Sequence, residues 1–104
     1  MPNSVDMEKN TREVMRWRIL RVLYGGSPWP VGEGLLHAAL DDAALRVSPA
    51  ALRKELDYLE RKGLLTVHQR EEAVWLAALT SDGTDVAEYT AACPPGIKRP
   101  AKWY

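Results

Sequence analysis

The stretch SPAALRKELDYLERKGLLTVHQREEAVWLAAL, residues 48–79, decides the fold, because its first half has the pattern of a capped helix and its second half that of a hairpin. Ser48 is a favoured N-cap, and Pro49 is a favoured first helical residue because proline's missing N–H is not needed there. Leucines at positions 52, 56 and 59 recur at i, i+4 and i+7 and so share one helical face. Gly63 predicts the end of this helix.

Two short apolar segments follow the predicted helix. Residues 64–68 and 73–79 are rich in apolar, β-branched or aromatic side chains, and the polar run Gln69-Arg70-Glu71-Glu72 separates them. This pattern predicts two strands joined by a turn. A helix followed at once by a hairpin is typical of a recognition helix and its wing.

Helices are also predicted on both sides of this stretch. Asn10 and Glu13 have the spacing of a capping box at the start of a helix that Gly25-Gly26 would end. A second helix fits from Gly32 or Glu33 to Leu40, and Thr80 would cap a last helix that begins at Ser81. The predicted fold class is therefore mainly α with a small β-hairpin, in the order of a winged helix-turn-helix.

The chain divides into three predicted segments. Residues 1–9 form a flexible lead-in, residues 10–92 form the winged helix-turn-helix domain, and residues 93–104 form an extended basic tail with three prolines and no acidic group.

Composition narrows the class of protein. The chain has 104 residues, which suffices for one domain with one core, and no apolar run approaches the roughly 20 residues of a membrane span. A single cysteine, Cys93, excludes an intramolecular disulfide, and no signal peptide is visible. These features predict a cytoplasmic protein that makes no membrane contact.

Charge is balanced overall but unevenly distributed. Fourteen basic and fourteen acidic residues give a net charge of zero, which is unusual for a dedicated nucleic-acid binder. The first thirty residues and the last twelve are net positive, whereas residues 31–92 are net negative.

The sequence also carries a family resemblance. Residues 56–65 (LDYLERKGLL), followed by a hairpin and then by Leu79-Thr80 and Gly83, resemble the helix, wing and closing helix of the ArsR, MarR and PadR winged-helix regulators. With the C-terminal PGIKRPAKW of residues 95–103, nearly the whole chain is similar to a family of short winged-helix proteins of Mu-like bacteriophages and prophages. Members of that family are commonly labelled ArsR-like transcriptional regulators. The resemblance implies a setting in the bacterial host cell.

A site on duplex DNA is the functional prediction. The outer face of helix 48–62 would enter the major groove, the hairpin tip would reach a phosphate or the minor groove, and the basic tail would be a further DNA contact. The predicted DNA-binding residues are Ser48, Ala50, Arg53, Lys54, Arg61, Arg70, Lys98, Arg99 and Lys102.

The same face permits an alternative. Asp57 lies four residues from both Arg53 and Arg61, so these side chains could neutralise one another on a solvated helix surface. The chain would then be a non-enzymatic protein-interaction winged helix, acting as a phage accessory or assembly module with a phage protein partner.

The first helix and the tail supply two further expectations. The apolar residues of the first helix cover so much of its circumference that a homodimer is predicted, with Met15, Trp17, Ile19 and Val22 at the interface.

For the tail, one reading docks Ile97 and Trp103 on the first helix with the basic groups facing the acidic middle of the chain. The other reading is a basic arm that becomes ordered on binding.

Metal and catalytic chemistry are not indicated. Soft-metal sensing of the ArsR kind needs several clustered thiolates or a His and carboxylate set, whereas this chain has one cysteine and places His37 and His68 in different predicted elements. No nucleophile and base pair, phosphate-binding glycine loop or paired catalytic carboxylates are present. We therefore expect no metal, no cofactor and no enzymatic activity.

Overall fold

Helices build most of the molecule, with a small antiparallel sheet on one side. The computed structural model describes residues 6–102, and within them the elements are α1 (Met7–Gly26), β1 (Val31–Gly32), α2 (Glu33–Asp42), α3 (Pro49–Arg61), β2 (Leu65–His68), β3 (Leu76–Leu79) and α4 (Ser81–Ala87). The prediction of a mainly helical domain with a small sheet is confirmed.

Helix α3 forms as its sequence predicts. The Ser48 hydroxyl accepts a hydrogen bond from the Ala51 N–H, and Pro49 occupies the first turn. The leucines at positions 52, 56 and 59 are at most 1% exposed, so the predicted apolar face is the buried one. Gly63 then adopts φ +78°, a left-handed conformation that glycine reaches without steric cost, and the chain turns into β2.

The sheet has three strands, in the order β1-β3-β2, rather than the predicted two. Strands β2 and β3 pair antiparallel with Leu65 opposite Leu79, and β1 adds Val31 opposite Ala77. Strand β1 is only two residues long and has no alternating pattern, so it is a strand only because β3 lies beside it. Strand β3 begins at Leu76 rather than at Ala73, and residues 69–75 form the loop that connects β2 to β3.

Two predicted helix ends are wrong. Helix α1 begins at Met7, because the Asp6 side chain accepts from the Lys9 N–H at 3.0 Å and caps it. Asn10 therefore lies inside the helix rather than at its cap, and the predicted lead-in of residues 1–9 overlaps α1 at residues 7–9. Residues 1–5 lie outside the described residues. Helix α2 ends at Asp42 rather than at Leu40. Both terminal aspartates of α2 are exposed to water, which screens their unfavourable interaction with the helix dipole.

Helix α1 is the central element, and its packing corrects the predicted dimer interface at Met15 and Ile19. Met15 and Ile19 are 3% and 0% exposed, because α2, α3, α4 and β3 of the same chain pack around α1. Trp17 and Val22 are partly buried against the same core, and the Trp17 ring meets the Tyr89 ring edge to face at 5.7 Å. Met15 and Ile19 therefore offer no surface to a second copy, whereas Met7 and Val14 of the same helix remain exposed.

The tail is docked on the domain as far as the structure describes it. Ile97 is 8% exposed and belongs to the core, and the Lys98 N–H donates to the Glu13 carbonyl at 3.0 Å. Trp103, which was expected to dock beside Ile97, lies outside the described residues. Lys98 contacts the N-terminal part of the chain, whereas Arg99 contacts the net negative range of residues 31–92, through backbone carbonyls rather than acidic side chains. Lys98 donates to the Asn10 side chain, and Arg99 donates to backbone carbonyls at Val86 and Ala91.

Candidate nucleic-acid interface

The exposed side of α3 carries a stripe formed by Ala50, Lys54 and Arg61. Their spacing of four and seven residues places them on one line of the helix, opposite the buried leucines. All three are exposed, and neither Lys54 nor Arg61 forms an ion pair or hydrogen bond with another residue of the described chain. We call these three residues the outer stripe. Their side chains are available to an external partner.

Arg53 lies on a different side of α3 and is engaged within the protein. Its Nε donates to Glu33 Oε2 at 2.9 Å, its Nη2 donates to Glu33 Oε1, and Nη2 also donates to the Ala73 carbonyl at 3.0 Å. A bidentate pair of this kind fixes a guanidinium strongly, because two parallel charged hydrogen bonds share one geometry. Arg53 therefore joins α2, α3 and the loop before β3.

Arg70, at the tip of the hairpin, is also engaged. Its Nη2 lies 2.7 Å from Asp57 Oδ1 and 2.6 Å from Glu60 Oε1, so two carboxylates of α3 hold it. The alternative pairing of Asp57 with Arg53 and Arg61 on the helix surface does not occur in the described chain. Asp57 instead reaches across to the hairpin, because Arg70 lies against α3 in the folded chain.

Trp75 lies between the two engaged arginines. The guanidinium carbons of Arg53 and Arg70 lie 4.4 and 4.5 Å from its ring centroid, within the range of cation–π attraction. The indole Nε1 donates to the Arg70 carbonyl at 3.1 Å. We define the Trp75 cluster as Glu33, Arg53, Asp57, Glu60, Arg70 and Trp75. It fixes the hairpin to α2 and α3.

These contacts shift the pKa values of three groups in the Trp75 cluster. Hydrogen bonds from the Arg53 guanidinium lower the pKa of Glu33, and the Trp75 N–H bound to the same carboxylate adds to the effect. The pKa of Glu60 is lowered chiefly by the Val67 N–H, which donates to Glu60 Oε2 at 2.8 Å. The carboxylates of Asp57 and Glu60 raise the pKa of Arg70. All three groups therefore stay charged at neutral pH, and the pairing persists.

The three tail residues lie on another part of the surface. Lys98 and Arg99 are held against α1 and α4 by the contacts described above, and the Lys102 ammonium lies 5.5 Å from the Tyr89 ring centroid. Within residues 6–102, no hydrogen bond or ion pair joins Lys98 or Arg99 to the outer stripe. The predicted DNA-binding residues thus divide into an exposed group on α3, an engaged pair and a separate group on the tail.

Ser48 belongs to the first of these groups through its position at the start of α3. It is exposed, but its hydroxyl accepts from the Ala51 N–H at 3.1 Å and so acts as a helix cap.

Two further basic residues near α3 were not predicted. Arg46 lies two residues before the cap Ser48, and Arg12 lies in the second turn of α1. Both are exposed, and both line a groove with Lys54. Arg46 could have been found from its position beside a predicted helix N-terminus, whereas no sequence signal connects Arg12 with a segment more than thirty residues away.

The comparisons with known proteins return no relative. No family model, curated protein or solved structure matches this chain. Within residues 6–102, no helix combines the length and apolar character that crossing a bilayer requires. In the same part of the chain, no three His, Cys, Asp or Glu side chains converge as metal ligands. The geometry of the outer stripe is therefore the main functional observation.

Proposed function

We propose that this chain is a winged helix-turn-helix domain that binds duplex DNA, as a phage or prophage transcriptional regulator. The order of elements supports this assignment. Helices α2 and α3 are joined by residues 43–48, and the β2–β3 hairpin follows α3 directly and packs against it. In such domains the second helix of the helix-turn-helix enters the major groove, and its N-terminal residues contact base edges.

The observation that carries the proposal is the outer stripe. Lys54 and Arg61 are exposed cations without a partner in the described chain, on the side of α3 that faces away from the core. Ala50 precedes Lys54 by one turn and can place its methyl group against a thymine methyl. Lys54 is near enough to the N-terminus of α3 to reach a base or phosphate, and Arg61 suits a phosphate at the other end.

Arg53 and Arg70 have a positioning role in this proposal. Their charges are neutralised by Glu33, Asp57 and Glu60, so they orient the hairpin rather than attract phosphate. The hairpin loop also carries Glu71 and Glu72, both exposed, which repel the DNA backbone. Few phosphates are therefore neutralised, and the salt dependence of binding should be shallow.

Fluorescence anisotropy with labelled phage DNA duplexes tests this proposal. If Lys54 and Arg61 each neutralise one phosphate, the slope of log K against log salt is about −2, since each contact contributes about −0.9. Lys54→Gln and Arg61→Gln should each reduce the magnitude of the slope by about 1 and weaken binding to every duplex. Arg18→Gln, which removes an exposed charge of α1, is the matched control and should leave binding unchanged.

A protein-interaction module is the second candidate, and exposed apolar side chains favour it. Trp29 is 75% exposed, Leu35 67% and Val74 48%. Trp29 and Leu35 lie on either side of β1 in the sequence, and Val74 lies beside Gly32 of β1. Large apolar groups exposed together are typical of surfaces that contact another protein. If the wild-type protein shows no saturable binding to duplex DNA at low salt, the interaction module replaces the DNA-binding proposal. The same conclusion follows if Arg18→Gln weakens binding as much as Lys54→Gln.

A further inference from the structure

A groove of about 440 Å³ runs between the start of α1 and the start of α3. Its walls are predominantly apolar and are formed by Met7, Met15, Val47 and Ala51. Met15 is 3% exposed and continuous with the core, so the bottom of the groove is rigid, whereas Met7 is 69% exposed at its mouth. Methionine is unbranched and polarisable, and it adapts its shape to an apolar ligand.

The rim of the groove is positively charged. Arg12, Arg46 and Lys54 line it, are exposed, and make no ion pair or hydrogen bond within residues 6–102. Two acidic residues, Glu8 and Glu55, also line the groove.

One of these acids is already neutralised. Glu55 Oε1 lies 2.6 Å from Arg16 Nε, so its negative charge is compensated inside the protein. Three cations without partners are therefore opposed by the single carboxylate of Glu8, which leaves an excess of positive charge around an apolar floor.

We propose that this groove binds a small organic anion, with a carboxylate on an aromatic or alkyl body. The volume lies in the range of about 300 to 1,000 Å³ that is usual for small-molecule sites. The apolar floor suits the body of such a ligand. The planar guanidinium groups of Arg12 and Arg46 match the two oxygens of a carboxylate.

The charge and the floor together favour a ligand with both features over simpler ligands. A neutral apolar molecule would leave the three cations uncompensated, and a small inorganic anion would leave the apolar floor exposed to water. A molecule with both features contacts the floor and the charged rim at once. The three cations come from three different segments, α1, the α2–α3 connection and α3, so the site exists only in the folded chain.

The test is a titration of the ¹⁵N-labelled protein with sodium 2-naphthoate, followed by amide chemical shifts. Saturable shifts are expected at Met15, Val47 and Ala51, the residues of the floor. Two matched probes separate the contributions. We expect 2-naphthamide, which keeps the body but lacks the charge, and acetate, which keeps the charge but lacks the body, each to bind at least about tenfold more weakly, a difference of about 1.4 kcal/mol.

Variants locate the site. Arg12→Gln should weaken naphthoate binding about fivefold or more, because it removes one charged hydrogen-bond donor. Ala51→Phe should abolish binding by filling the groove, and circular dichroism establishes that the variant is folded. Arg61→Gln is the control, because Arg61 lies on α3 but does not line the groove.

Three results would overturn the proposal. The first is an absence of saturable shifts up to about 10 mM naphthoate, which would mean an affinity weaker than the millimolar range. The second is binding of 2-naphthamide as tight as that of naphthoate, and the third is equal weakening of naphthoate binding by Arg61→Gln and Arg12→Gln. Lys54 belongs to both the outer stripe and the groove, but Arg12 lies only in the groove and Arg61 only in the outer stripe, so variants at Arg12 and Arg61 separate the two functions. Failure of one function therefore leaves the other measurable.

Discussion

Replacing Arg16 by methionine tests how the tail and α3 are locked to α1. The Arg16 Nε donates to Glu55 Oε1 at 2.6 Å, and Nη1 donates to the Gly96 carbonyl at 2.9 Å. The guanidinium carbon lies 3.7 Å from the centroid of the Tyr58 ring. Methionine keeps much of the aliphatic stem but removes all of these polar contacts.

The expected cost follows from the burial of the pair. The side chains of Arg16 and Glu55 are 13% and 10% exposed. Removing one partner of a buried ion pair costs about 3 to 5 kcal/mol, because the other charge stays buried without compensation. Glu55 keeps some contact with water, so the cost should lie at the lower end of this range. We therefore expect the free energy of unfolding to fall by about 3 kcal/mol. At 4 to 8 °C per kcal/mol this lowers Tm by roughly 12 to 24 °C.

Urea denaturation followed by tryptophan fluorescence measures this change. Arg18→Met is the matched control, because Arg18 is an exposed arginine of α1 without a partner in the described chain, and its cost should stay within about 0.5 kcal/mol. Hydrogen exchange of the Lys98 amide should also accelerate, since its bond to the Glu13 carbonyl depends on the docked tail. A loss below about 1 kcal/mol for Arg16→Met would refute the proposed lock.

Two further predictions concern acid and the tail. The folded pKa values of Glu33 and Glu60 lie below their ordinary value of 4.5, so the stability that these carboxylates confer is complete above pH 4.5 and is lost as pH falls through the folded values. Urea titrations should show this loss, and Glu33→Gln should make it shallower; an unchanged pH profile would contradict the prediction. Deleting residues 94–104 removes Ile97 from the core, and this burial is worth about 1.5 to 3 kcal/mol, so Tm should fall by roughly 6 to 24 °C. Differential scanning calorimetry checks the shift, and an unchanged Tm would show that the tail does not stabilise the domain.

Local signals explain why the centre of the fold could be predicted. The cap at Ser48, the leucine spacing of α3 and the glycine at position 63 act over a few residues, and each is found as expected. Thr80 likewise caps α4, and its hydroxyl accepts from the Gly83 N–H at 3.1 Å. Backbone hydrogen bonds and helical periodicity depend on near neighbours, so they are legible in the sequence.

The candidate site was predicted only in part. The sequence placed Ala50, Lys54 and Arg61 on the outer side of α3, and the structure leaves all three exposed. It could not show that Glu33, twenty residues earlier, holds Arg53. Nor could it show that Asp57 turns to Arg70. The partner of each arginine depends on which carboxylate lies close to it in the folded chain, and the sequence offers several carboxylates that could pair with it.

The sequence by itself determined helix α3, the hairpin that follows it apart from the start of β3, the identity of the leucine face and the side of α3 that faces solvent. Only the tertiary structure decided that β1 joins the sheet, that α1 buries Met15 and Ile19 within its own chain, and that the tail contributes Ile97 to the core. The physical reason is the range of the interactions. Helical periodicity and capping are fixed by residues a few positions apart, whereas strand pairing, ion pairing and core packing depend on which distant surfaces the folded chain brings together.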